Sequence, residues 1–165
     1  MTPRSAARQL VKQFSSGTPP VLAERICSSL GIGVQYLDMA SAGYTLSFAG
    51  QSTIFLSRRT PLPRRRFTLA HEMGHLVMDH GPLLLDGAHP LQERQADIFA
   101  AELLMPSELL FREIRRLASL GIRPDVASLA RAFVVSRESM AIRCRELGWA
   151  RHMAPDFPQA LPPRP

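Results

Sequence analysis

The sequence predicts an α+β fold. A small antiparallel or mixed sheet should sit beside a helix carrying two histidines, with a mainly helical C-terminal part that includes a helix-turn-helix-like pair. Three observations predict it. Runs rich in β-branched and aromatic residues, partly in alternation, lie between Gly33 and Ser57. Beyond them, apolar residues recur at helical spacing. Ser, Asp, Gly and Pro stand where those helical stretches would begin and end. At 165 residues the chain is long enough for one domain with an adequate core.

Taken in order, Ser5 to Phe14 reads as a short amphipathic helix. Val21 to Leu30 reads as a second, entered through Pro19-Pro20 and closed by Gly31. Gly33 to Leu37, Tyr44 to Phe48 and Thr53 to Ser57 read as strands separated by Gly and Ser. The histidine helix follows and is expected to run until Gly81-Pro82 stops it. Pro82, Asp86 and Gly87 make Gly81 to Pro90 a loop, expected to border the site because it joins two helices of interest. The second of these contains Glu93 and Asp97 and ends at Met105-Pro106, since the residue before a proline is pushed out of the helical region. Ser107 to Leu120 is another helix, with Leu110, Ile114 and Leu117 on its apolar side. Asp125 caps a helix through Phe133, and Ser136 caps one through Leu147. The expected organisation is a core over 1–123, a helical module over 124–150 packed on it, and a disordered Pro-rich tail over 151–165.

The chemistry concentrates in His71-Glu72-Met73-Gly74-His75. A helix turns about 100° per residue, so His71 and His75 return to nearly one face, as two ligands of one zinc ion must. Glu72 sits beside that face, able to reach an activated water without ligating the metal. Leu69, Ala70, Met73, Leu76 and Val77 fall on the opposite arc, which gives the helix a core face and a polar face. Gly74 permits another backbone or a substrate to come near. The alternative is two surface histidines with a chance Glu between them.

A third ligand separates the two readings. His80 points about 140° from His75 if the helix continues, which suits a helix-end residue with a structural partner, or a group on the substrate side. Glu93 and Asp97 are a second i,i+4 pair on one helix face, with Ala96, Ala100 and Leu104 near them in phase and Gln95, Ile98 and Glu102 pointing away. That pattern suits a buried site in which Glu93 binds zinc and Asp97 accepts the second N–H of a ligand imidazole, His71 in the first instance. The competing reading has both carboxylates solvated, pairing with arginines such as Arg94 or Arg65.

The stretches RRRFTLAHEMGHLVMDH (64–80) and ERQADIFAAELLMP (93–106) resemble the ImmA/IrrE family of metallopeptidases. The run from Asp125 to Trp149 is similar to the helical module that often follows, and the Glu93/Asp97 spacing is similar to the third-ligand helix of thermolysin-like gluzincins. The resemblance implies His71, His75 and Glu93 as metal ligands and Glu72 as catalytic base. It implies Zn²⁺ as cofactor, with another divalent transition metal as the alternative. It further implies a cytoplasmic bacterial or phage protease with a role in stress response, whose protein substrate is often a helix-turn-helix repressor.

Composition bounds the rest. No apolar run is long enough to span a bilayer, and Arg4 and Arg8 are not followed by the apolar segment of a secretory signal. Cys27 and Cys144, far apart and without C-x-x-C, suit two reduced packing thiols. A net charge of +6 and pI near 10.6 permit nucleic-acid binding without establishing it. Arg137, Arg143 and Arg145 would have to supply DNA contacts, while Glu138 and Glu146 on the same helix would repel phosphate. The reading favoured here is a small helical subcore of Leu129, Phe133, Met140, Cys144 and Leu147. Arg58, Arg59 and Arg64 to Arg66 crowd the approach to the histidine helix, as an acidic-substrate surface or as solvated loop residues. His89, a loop histidine near Glu93, is a substrate-side donor or simply solvated. Tyr44, His80, His89 and Arg64 to Arg66 are open as stabilisers of the oxyanion. Two rivals stand beside proteolysis, namely a DNA-binding regulator and a toxin–antitoxin component, each with a non-catalytic metal site.

Overall fold

The computed structural model describes residues 1–80 and 89–149. Most of the expected loop Gly81 to Pro90 and the expected tail 151–165 therefore lie outside the described residues. Among the described residues, seven helices and three strands follow in the order α1 (Pro3–Phe14), α2 (Ala23–Ser29), β1 (Gly33–Leu37), β2 (Gly43–Phe48), β3 (Gln51–Ser57), α3 (Leu62–Val77), α4 (Pro90–Leu104), α5 (Ser107–Ser119), α6 (Val126–Phe133) and α7 (Arg137–Glu146). The α+β expectation holds, and the sheet is mixed. Its order is β1-β3-β2, with β1 parallel to β3 and β2 antiparallel to it.

Local chemistry accounts for the boundaries. Helix α1 starts two residues earlier than expected, because Thr2 caps it, Ser5 completes the capping box and Pro3 takes the first helical position. Strands β2 and β3 form a hairpin through Ala49-Gly50, both at positive φ, as the tight turn that matches strand twist requires. Asp125 and Ser136 cap α6 and α7 as expected, each accepting from a backbone N–H three residues on.

Helix α3 corrects one expectation. It ends at Val77, before Gly81-Pro82, which lie outside the described residues. Asp79 takes the left-handed conformation at φ 52°, its N–H bonds Leu76 O at 3.2 Å, and the N–H of His80 bonds His75 O at 3.0 Å. That pair of bonds is a Schellman closure, with Asp in the place usually held by Gly. Helical phase therefore stops applying before His80 is reached.

The core lies between the sheet and the paired helices α3 and α4. Ile54 and Leu56 of β3, Leu69, Ala70 and Met73 of α3, and Phe99, Ala100, Leu103 and Leu104 of α4 are fully buried. The apolar arc read from α3 faces inward as expected, Leu76 and Val77 packing at its margin. Leu129, Phe133, Met140 and Cys144 are buried where α6 meets α7, with Leu147 packed against them. These two helices join the same core rather than forming a separate one.

Candidate functional site

Two close approaches assemble the site. At Gly74 a Cβ would lie 3.2 Å from Ala96 Cα and 3.1 Å from Phe99 Cδ1, so the missing side chain lets α3 and α4 touch backbone to backbone. What Gly74 admits is thus the neighbouring helix. At Gly43 a Cβ would meet Thr68 Cγ2 at 2.6 Å, which seats β2 against α3. His71 and His75 leave α3, Glu93 and Asp97 leave the first turns of α4, and all four converge.

His71 Nε2 lies 3.0 Å from His75 Nε2 and 3.2 Å from Glu93 Oε2, and His75 Nε2 lies 3.3 Å from Glu93 Oε1. Donors about 2.0–2.1 Å from a tetrahedral zinc sit about 3.3 Å from one another, so the spacing fits a metal ion. These three residues form a group able to hold one. Asp97 Oδ1 accepts from His71 Nδ1–H at 3.0 Å. That bond leaves the lone pair of His71 on Nε2, facing the cluster. Without a cation the converging atoms would be acceptors facing acceptors.

The electrostatics agree. Burial by itself would lower the His71 pKa, but the Asp97 hydrogen bond and the charges of Asp97, Glu93 and Glu72 outweigh it and raise the value. Burial, helped by the positive charge of His71, pushes His75 down. The carboxylates around His71 thus favour positive charge at this point, as a cation site requires.

The expectation of a buried site is corrected to a half-open one. His71 and His75 are 18% and 16% exposed at the side chain, Glu93 36% and Asp97 38%. Of the arginines that the solvated reading offered as partners, Arg94 or Arg65, Arg65 stacks its guanidinium 5.3 Å from the centroid of the Tyr36 ring.

Glu72 is placed by a residue the sequence reading missed. Thr45 Oγ1 on β2 donates to Glu72 Oε2 at 2.7 Å. Nothing in the local sequence signals this, because it depends on how β2 is seated against α3. Alternation along β2 puts Tyr44 on the other face, stacked on Phe55 at 5.1 Å, and so away from Glu72. His80 is engaged elsewhere: its Nδ1 lies 3.0 Å from His75 Nδ1 and its Nε2 2.9 Å from Gln95 Oε1. It is the helix-end residue with a structural partner. Gln95, expected to point away from Glu93, reaches the back of His75 through His80. His89 is exposed at the start of α4.

Two arginines correct the surface reading. The Arg64 to Arg66 run belongs to α3 rather than to a loop. Arg66 is 5% exposed and donates to Val21 O at 2.7 Å and Val134 O at 3.1 Å. Arg143 is 1% exposed, paired with buried Glu102 and donating to Met105 O at 3.1 Å, so it offers nothing to DNA. A signal for both was present. Arg66 precedes Leu69, Ala70 and Met73 by three, four and seven residues, and Arg143 falls between Met140 and Leu147 at the same helical intervals. A charge on an apolar stripe is a buried charge with partners.

No helix among the described residues is long and apolar enough to cross a membrane. The fold is similar to that of a Mycobacterium tuberculosis transcriptional regulator, with a TM-score of 0.59 at 16% identity. The likeness covers 84% of this chain but 46% of that one, so this chain spans less than half of its length. No curated protein matches the chain. Residues 27–145, which include all three strands, both site helices and nearly all of the helices that follow, match the Peptidase M78 family, described as the IrrE N-terminal-like domain. The span is well over half of the chain, and the chain belongs to that family.

Proposed function

We propose that this chain is a zinc-dependent metallopeptidase that hydrolyses peptide bonds in a regulatory protein, a helix-turn-helix repressor being the substrate class that family resemblance suggests. The observation that carries the reading is the convergence of His71 Nε2, His75 Nε2 and the Glu93 carboxylate at ligand spacing, with Glu72 alongside. Membership of a peptidase family supports it. The gene-regulatory name of the structural neighbour suits a regulatory substrate. Zinc is favoured by the two-histidine, one-carboxylate donor set, which another divalent transition metal would also accept.

His71, His75 and Glu93 would hold the ion, and Asp97 would orient His71. When bound, zinc polarises the scissile carbonyl and acidifies water. Glu72 would serve as the general base, holding a proton taken from water until it is returned to the leaving amine. Its Oε2 is occupied by Thr45, which leaves Oε1 to receive the proton. Strand β2 is the sheet edge beside Glu72, and an extended substrate can add to it by main-chain hydrogen bonds. We read residues 1–123 as the catalytic body and 124–150 as a helical module braced on it by Arg66 and Arg143. Free, buried Cys27 and Cys144 suit a reducing, cytoplasmic setting. The DNA-binding alternative loses support from the burial of Arg143.

The test is a proteome-derived peptide library incubated with zinc-loaded protein and with a Glu72→Gln variant. New peptide termini should appear with the parent alone, since the amide cannot take a proton from water. Termini generated equally by both proteins would remove Glu72 as base. No termini from either, with zinc bound, would overturn the peptidase reading.

A further inference from the structure

The metal-site reading gives His71 an orienting partner in Asp97 and leaves His75 without one. The Schellman closure of α3 supplies it. Because the N–H of His80 returns to His75 O at 3.0 Å, the imidazole of His80 is folded back over that of His75, with ring centroids 5.0 Å apart and planes at 73°. The two Nδ1 atoms are 3.0 Å apart, and only one of them can carry the shared proton. The other end of the chain decides which. Gln95 Oε1 has no hydrogen to give, so at 2.9 Å it accepts from His80 Nε2–H. A neutral His80 protonated on Nε2 has its lone pair on Nδ1. His75 must then donate from Nδ1–H, and its own lone pair falls on Nε2, facing His71 and Glu93.

We propose that His80 and Gln95 are positioning residues that fix the tautomer and ring orientation of His75 for metal binding, by a neutral relay running from the first turns of α4 to the end of α3. This rests on the metal-site reading. The two histidine arms are then built differently. Asp97 orients His71 with a full negative charge, whereas Gln95 orients His75 through a second imidazole without adding any. The sense of the relay depends on the amide oxygen facing His80. A donor there would reverse every proton along it and leave His75 Nε2 protonated and unable to ligate.

The experiment is competition of the 165-residue chain with a chromophoric chelator for zinc, together with ¹⁵N–¹H long-range spectra of its histidines after metal removal. The parent should bind one zinc and show His75 protonated on Nδ1. His80→Ala should weaken zinc by about 10–100-fold and let His75 populate the Nε2–H form. His80→Asn places Oδ1 close to where Nδ1 stood and should return affinity to within about threefold of the parent. Gln95→Glu, able only to accept, should keep parental affinity, while Gln95→Leu should lose part of it. A purely structural His80 would lower thermal stability in the Ala and Asn variants alike and leave both affinities unchanged, which would overturn the relay. So would His75 protonated on Nε2 in the parent. If the parent takes up no zinc, the metal reading fails, and the tautomer spectra still decide the relay. If His80→Ala does not fold, the comparison of His80→Asn, Gln95→Glu and Gln95→Leu decides it.

Discussion

Thr45 hydrogen-bonds Glu72 and Asp97 hydrogen-bonds His71, so the two can be separated by what their loss would change. Thr45 Oγ1 donates to Glu72 Oε2 and is not among the metal donors. Thr45→Val should therefore lower kcat by about 10–100-fold, the value of one hydrogen bond to a charged group, with zinc affinity unchanged. Thr45→Ser should restore the rate. Steady-state kinetics beside zinc titration check this, and an unchanged kcat in Thr45→Val would dismiss Thr45 as a positioning residue. Asp97 holds His71 Nδ1 at 3.0 Å. Asp97→Ala should weaken zinc by about 10–100-fold with the fold retained. Equal affinities of Asp97→Ala, Asp97→Asn and the parent would leave Asp97 an ordinary carboxylate.

Between elements, the decisive contact is α3 against α4 at Gly74. A methyl group there would stand 3.2 Å from Ala96 Cα, which is backbone and cannot swing aside. Gly74→Ala gains helix propensity of about 1 kcal/mol but forces the helices apart. The expected net result is destabilisation of about 1–3 kcal/mol, the usual range for overpacking. Since one helix carries His71 and His75 and the other Glu93, zinc affinity should fall as well. Urea unfolding together with zinc competition measures both. A more stable variant with parental affinity would mean the helices have slack at this point. The turn between α6 and α7 shows the same dependence on neighbours. Val134 sits at φ 53°, costly for a β-branched residue, and its carbonyl is held by Arg66 from α3.

Over the whole molecule, Glu102 joins three helices. Its buried carboxylate takes Arg8 Nε of α1 at 2.9 Å and the guanidinium of Arg143 of α7. Burial alone would raise the Glu102 pKa, but the Arg8 hydrogen bond and the charge and hydrogen bond of Arg143 overcome it and hold the carboxyl below its ordinary range. A depressed folded-state pKa contributes stability above the unfolded value and loses it as pH falls through the folded one. This part of the stability should thus be intact at neutral pH and disappear on acidification below the normal carboxylate range. Glu102→Gln removes it at all pH and leaves Arg143 charged and buried, at a cost of about 3–5 kcal/mol. Denaturant unfolding across pH tests both statements. Parent and Glu102→Gln stabilities should converge at acid pH, and a constant gap would show that the ion cluster is not the source. Replacing Glu102 and Arg143 together by Met should recover much of the loss, because the buried charge that keeps only the more distant Glu146 at 3.6 Å is removed as well.

What the sequence determined by itself is what depends on spacing within one element. The i,i+4 pairs of His71 with His75 and Glu93 with Asp97, the apolar arc of Leu69, Ala70 and Met73, and the caps Asp125 and Ser136 all follow from helical period and local hydrogen bonding. The family resemblance was legible there too, since it rests on the same runs. Tertiary structure alone decided which atoms meet across elements. The seating of β2 at Gly43 brings Thr45 to Glu72, and the contact at Gly74 brings Glu93 to the histidines. The left-handed Asp79 turns His80 back onto His75, where phase along a continuing helix had pointed it away. Arg66 and Arg143 read as surface by charge and lie in the core by position. The reason is common to all of these cases. A helix or strand fixes the direction of its own side chains, but a hydrogen bond between elements is fixed only once both are packed to van der Waals contact, and that distance is set by the residues missing a side chain as much as by those that have one.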